Sequence, residues 1–190
     1  MNFEQHFSEY RRRLIDIFDE DLMVQTSVAA EILSMIPAAK STLYLCGNGG
    51  SAGNANHLAN DFLYCCGSSI GIKYKVESLA SNPSIISCLA NDTGYENIFS
   101  SQLEAKGRKG DVLLALSGSG NSKNIISALE MANEKGIKTI SITGFTGGKA
   151  AIMSDVSIHL KSSDMQICED YQMILGHMIV QHIRSILRKK

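Results

Sequence analysis

The chain has 190 residues, 44% hydrophobic and 19% charged, with 16 Gly and only 2 Pro. That composition describes one folded domain able to bury roughly 70% of its unfolded surface, and it excludes disorder, collagen-like repeats and a disulfide miniprotein. The 18 basic and 19 acidic side chains nearly cancel, which excludes direct non-specific nucleic-acid binding, a role that needs clustered positive charge. Five cysteines cannot all pair within one chain, and Cys65 and Cys66 are adjacent, a poor geometry for bridging each other. Reduced thiols and a cytoplasmic location are expected. Residues 1–22 are too polar for a signal peptide, and the apolar runs read as strand-length, so no membrane partner is expected.

In chain order, Phe3, Phe7, Tyr10, Leu14, Phe18 and Leu22 recur every three or four residues, followed by Val28, Ile32 and Met35. This predicts an amphipathic helix pair over 3–36 that Pro37 ends. Short apolar runs at 42–46, 111–116, 138–143 and 155–160, with a weaker one at 74–79, read as strands. Helical periodicity fills 52–64, 84–90, 122–135, 148–153 and 168–187, the last finishing in Arg188, Lys189 and Lys190, which suit the negative end of a helix dipole. Strands alternating with helices imply an α/β architecture, a doubly wound five-stranded parallel sheet with N-terminal helices. One domain over 1–190 is expected, with 1–40 packing on it and in an oligomer, because those helices carry more apolar residues than one sheet face can cover.

Two polar loops carry the chemistry. Gly47-Asn48-Gly49-Gly50-Ser51-Ala52 follows a strand and opens a helix, where glycines let an anion approach unpaired N–H groups and Ser51 can cap the helix. Ser117-Gly118-Ser119-Gly120-Asn121-Ser122 links another strand to another helix, with more hydroxyls than a cap requires. In a sheet of order 2-1-3-4-5 these loops flank the switch point, where ligands bind. Neither loop contains Lys or Arg, which favours a single phosphate held by dipoles and hydroxyls over a polyphosphate with a metal. The bland reading is a pair of tight turns. A dinucleotide reading also survives, since the first loop fits GxGxxA and Glu77 could hold a ribose, but it leaves the serine loop unexplained.

Together with Gly107-Arg108-Lys109-Gly110-Asp111, Asn91-Asp92-Thr93-Gly94-Tyr95 and the turn from Thr143-Gly144 to Gly147-Gly148-Lys149, these loops resemble the sugar isomerase (SIS) fold and, within it, the phosphoheptose isomerase group. The resemblance spans nearly the whole chain. It implies a homotetramer with active sites between subunits, a sugar phosphate clamped by the serine loops, and interconversion of sedoheptulose 7-phosphate with a heptose aldose phosphate. It also leaves a rival, a non-catalytic phosphosugar-binding tetramer that regulates a protein partner such as a replication initiator.

Where the group carries His and Glu four apart and then Gln and His eight apart, this chain has His57 with Asp61 and Glu169 with His177; a shift of one residue would select Asp170. Moving a proton between adjacent carbons through an enediol needs a carboxylate base and a group that shuttles hydroxyl protons. The expected catalytic residues are Asp61, His177 and Glu169, and the expected substrate-binding residues are Asn48, Gly49, Gly50, Ser51, Asp92, Ser117, Ser119 and Ser122. No required cofactor is expected, but His57, Asp61, Glu169 and His177 are acceptable zinc ligands. Against this, Asp61 could be a solvated helix residue and His57 a hydrogen-bonded core histidine. His6, His159 and His182 are assigned no function, Met165, Met173, Met178 and Tyr171 are read as packing, and Cys168 as a buried structural thiol.

Overall fold

The computed structural model describes residues 2–188, so the expected basic end at Lys189 and Lys190 lies outside the described residues. β1 (Thr42–Cys46), β2 (Lys75–Ser78), β3 (Val112–Ser117), β4 (Lys138–Thr143) and β5 (Val156–His159) form one parallel sheet in the order β2-β1-β3-β4-β5. This is the doubly wound order, with β1 and β3 adjacent where the winding reverses. Leu43 lies opposite Val112 and Cys46 opposite Ala115, so the chain leaves both strands side by side at the same edge.

Period-two alternation divides the core. Leu43, Leu45, Leu114, Leu116, Ile140 and Ile142 belong to one buried cluster; Tyr44, Cys46, Leu113 and Ala115 belong to the other. The first face is covered by α2 (Glu20–Ser34), α4 (Gly50–Tyr64) and α9 (Met165–Leu187), and the second by α6 (Ser100–Lys106) and α7 (Lys123–Glu134). Two aspartates predicted as strand residues instead brace the opposite edge of the sheet. Asp111 accepts the Thr42 N–H at 2.7 Å and the Arg108 N–H at 2.9 Å, and Asp155 accepts the Thr139 N–H at 2.8 Å.

Pro37 does not end a helix pair. It sits in the first turn of α3 (Ile36–Ala39), where a missing N–H is harmless, and the chain reverses at Lys40 with φ 56°. α1 (Phe3–Asp16) begins in a capping box between Asn2 and Gln5 and buries no residue in the protomer. The apolar length was also underestimated: Glu20–Ala39 spans 20 residues at mean hydropathy 1.4, enough by length and composition to cross a bilayer. Leu22, Ala29, Ala30 and Leu33 within it are buried against the rest of the fold, and the helix breaks at Met35.

The short α6, and the extension of α5 (Pro83–Asp92) to Asp92, went unread in the sequence. α8 (Gly148–Met153) matches its predicted bounds. The feature that positions the chemistry is the α4–α9 crossing. A Cβ on Gly176 would collide with the side chain of Leu58, which is fully buried there. Absence of that Cβ lets the helices close, and it brings the residues next in sequence, His57 and His177, into contact in an edge arrangement.

Candidate active site

At the first loop, α4 begins at Gly50 with Gly49 as its cap residue and no side-chain cap. Ser51, expected to cap, is instead the second helical residue and is buried. The helix's backbone bonding starts with Ala52 N–H to Asn48 and Gly49 oxygens, so the N–H groups of Gly50 and Ser51 stay outside the helical ladder. Preceding them, Cys46 is fully buried and burial pushes its thiol up to about 12, which removes it from thiolate chemistry.

At the second loop, Ser117 Oγ accepts the Gly120 N–H at 3.1 Å and Ser119 Oγ accepts the Asn121 N–H at 3.2 Å. Each hydroxyl thus uses a lone pair within the loop and keeps its proton to donate. Ser122 stands at the α7 cap position, but its side chain makes no capping bond. Both loops open on one cleft of about 260 Å³, lined by Asn48, Gly49, Gly50 and Ser51, by Ser117, Gly118, Ser119 and Ser122, and by Met165 and Glu169 of α9. Larger hollows, about 480 Å³ between α2 and α9 and about 750 Å³ beside α3, lie away from both loops. Size is a poorer guide here than the donors that line the space.

Two residues not expected from the sequence tie the loops together. Asn48 Nδ2 donates to Asn124 Oδ1 and Asn124 Nδ2 donates to Asn48 Oδ1, both at 2.8 Å, while Tyr95 OH donates to Asn48 Oδ1 at 3.0 Å. Most of the Asn48 amide is therefore engaged in holding the loop. Asp92 is exposed at the end of α5, takes a 2.7 Å hydrogen bond from Asn91 and does not line the cleft of the protomer.

Farther along the α4–α9 crossing lies the second group. His57 Nε2 and His177 Nε2 are 3.1 Å apart, and each is 3.4 Å from Asp61 Oδ2. Asp61 is only 17% exposed, beneath two half-exposed imidazoles, so neither the solvated-aspartate nor the core-histidine reading describes it. For tetrahedral zinc with bonds of about 2.0 to 2.1 Å, ligand atoms stand about 3.3 Å apart. The three donors fit one face of such a tetrahedron, leaving the fourth position open.

Glu169 is not part of that cluster among the described residues. Eight residues separate it from His177, about 12 Å along the helix, and its carboxylate lies where a Cβ on Gly50 would be. Asp170, the neighbouring alternative, turns away and accepts the Tyr10 hydroxyl at 2.5 Å. Beside them Cys168 is buried against Gly144 and desolvation raises its pKa. His159 is held by the Phe145 carbonyl, 3.0 Å from Nε2.

Replacing Asn124 by Ala removes both bonds between the loops and strands the Asn48 amide. The expected loss is about 1 to 3 kcal/mol of stability, read by urea denaturation, with a smaller loss for Tyr95→Phe. Equal midpoints for wild type and Asn124→Ala would show that the pair does not fasten the loops.

Comparison with known proteins identifies the family. The SIS domain model matches residues 6–144. A phosphoheptose isomerase from Aneurinibacillus thermoaerophilus is 38% identical over 181 residues, covering 90% of this chain and 87% of the relative. One from Rhodospirillum rubrum is 38% identical over 166 residues, 84% of each chain. The solved phosphoheptose isomerase of Neisseria gonorrhoeae superposes with a TM-score of 0.87 at 31% identity, covering 95% of this chain and 97% of that one. The chain belongs to the SIS-domain family, within its phosphoheptose isomerase group.

Proposed function

We propose that this protein is a phosphosugar aldose–ketose isomerase that interconverts sedoheptulose 7-phosphate and a heptose aldose 7-phosphate. The observation that carries the reading is the arrangement of both loops and the His57–Asp61–His177 group along one helix crossing. In this reading the phosphate is held by the Gly50 and Ser51 N–H groups and by hydroxyls of Ser51, Ser117, Ser119 and Ser122, as the end of a helix dipole favours.

With the phosphate fixed, the C1–C2 end faces Asp61. The Asp61 carboxylate takes a proton from C1 of the ketose, the C1–H electron pair becomes the C1=C2 bond of the enediol, and the carbonyl oxygen gains a proton from His177. Return of the carbon proton to C2, as His177 recovers one from O1, gives the aldose. The His57–Asp61–His177 cluster, with both histidines at the group's positions and a carboxylate between them, supports catalysis over the rival of a regulatory tetramer. His57, Asp61 and His177 also suit zinc by donor type and spacing. A bound zinc would polarise the sugar oxygens and stabilise the enediolate.

We also propose self-association into a tetramer, supported by Phe3, Phe7, Ile15, Phe18 and Met23, all exposed on α1, α2 and their connection. Covering such a surface with further copies is the common solution. We assign the cytoplasm as its compartment, because the five cysteines are unpaired and a reducing compartment keeps them so.

Two measurements test these readings. In deuterated water, NMR should detect exchange of the carbon-bound proton of sedoheptulose 7-phosphate by the wild type and a loss of about a hundredfold or more in Asp61→Asn. Equal exchange in both would remove Asp61 from the base role, and metal analysis with a chelator arm would report any bound zinc. Sedimentation at micromolar concentration should give a species larger than a monomer, and a monomer would contradict the assembly.

A further inference from the structure

Within the loop cleft the lining contains one formal charge, and it is negative. Glu169 projects from α9 until its carboxylate stands over Gly50, so close that a side chain on Gly50 would strike all three carboxylate atoms. The residue is half-buried. Among the described residues its carboxylate oxygens accept no side-chain or backbone hydrogen bond and pair with no cation, although Asn54 Nδ2 donates to the Glu169 backbone carbonyl at 2.9 Å. What the carboxylate does face is the start of α4, where the Gly50 and Ser51 N–H groups are outside the helical ladder. A carboxylate without other partners is stabilised there by the positive end of the helix dipole.

From this placement, and resting on the phosphosugar reading above, we infer that Glu169 is an internal competitor for the phosphate position. In the free protein its carboxylate takes the electrostatic place of the substrate's phosphate, and it swings away when a phosphosugar binds. The two groups cannot share the site, because like charges at contact repel strongly where little water intervenes. The cleft offers no Lys or Arg to offset the second negative charge. Glu169 therefore sets how tightly phosphorylated ligands are held, and it accelerates release of the phosphorylated product.

Such a role differs measurably from proton transfer. The phosphate is remote from the reacting carbons, so a competitor for it weakens ground state and transition state alike and acts on KM rather than kcat. A proton-transfer role for Glu169 would act on kcat, and a purely structural helix cap would alter stability without tightening the ligand.

The test is calorimetric titration of the wild type, Glu169→Gln, Glu169→Ala and Ser119→Ala with inorganic phosphate, followed by kinetics on sedoheptulose 7-phosphate. Both Glu169 variants should bind phosphate about tenfold tighter than wild type, the scale of a partly buried carboxylate's interaction with a helix end, and Glu169→Gln should show its gain in KM. Equal or weaker phosphate binding by both Glu169 variants overturns the inference, as does a fall in kcat with KM unmoved. If Ser119→Ala leaves phosphate binding unchanged, the cleft is not the phosphate site and the underlying reading fails with it. If Ser119→Ala weakens binding while the Glu169 variants match wild type, only the competitor role fails.

Discussion

Leu58 on α4 occupies the place a side chain on Gly176 of α9 would need, and this close helix approach governs the rest of the site. Neighbouring turns of the same two helices then bring His57 and Asp61 against His177. One end of the crossing carries Glu169 over Gly50, beside the loop cleft. Two helices separated by an additional side-chain layer would hold the histidines too far apart to share Asp61. The α4–α9 contact therefore converts distant segments of sequence into one line of donors and acceptors.

The sheet supplies the second half of the arrangement. Because β1 and β3 are neighbours in register, their loops emerge together at the point where the winding reverses. Rigidity comes from side-chain hydrogen bonds, with Ser117 and Ser119 each holding a loop N–H and the Asn48 amide locked to that of Asn124. Hydroxyl protons remain for an anion, so the loops are organised without using up the groups that would bind it. At the far edge, Asp111 and Asp155 fasten strand starts, keeping ionic chemistry away from the cleft except at Glu169.

Much of this was legible in the sequence because it is local. Runs such as Leu43–Tyr44–Leu45 and Leu113–Leu114 are long enough in apolar residues to mark buried parallel strands, and the glycine and serine loops mark themselves by composition. His57 and Asp61 are one helical turn apart, so their shared face followed from spacing. The placement of Glu169 relative to His177 is less legible, for the converse reason. Eight residues rotate a helix by about 80° beyond two turns while advancing about 12 Å, so the pair occupies different neighbourhoods. Asn124 was invisible because its partner Asn48 is 76 positions away and nothing local singles it out. Pro37 failed as a stop signal because proline is also a good first-turn residue.

We propose that one sugar phosphate joins the serine loops to Asp61. A crystal structure of the protein with sedoheptulose 7-phosphate examines that claim directly. The phosphate is expected among Ser51, Ser117, Ser119 and Ser122, with Glu169 displaced and the C1–C2 end beside Asp61 and His177. Phosphate bound outside the cleft, or a sugar whose C1–C2 end points away from Asp61, would contradict it.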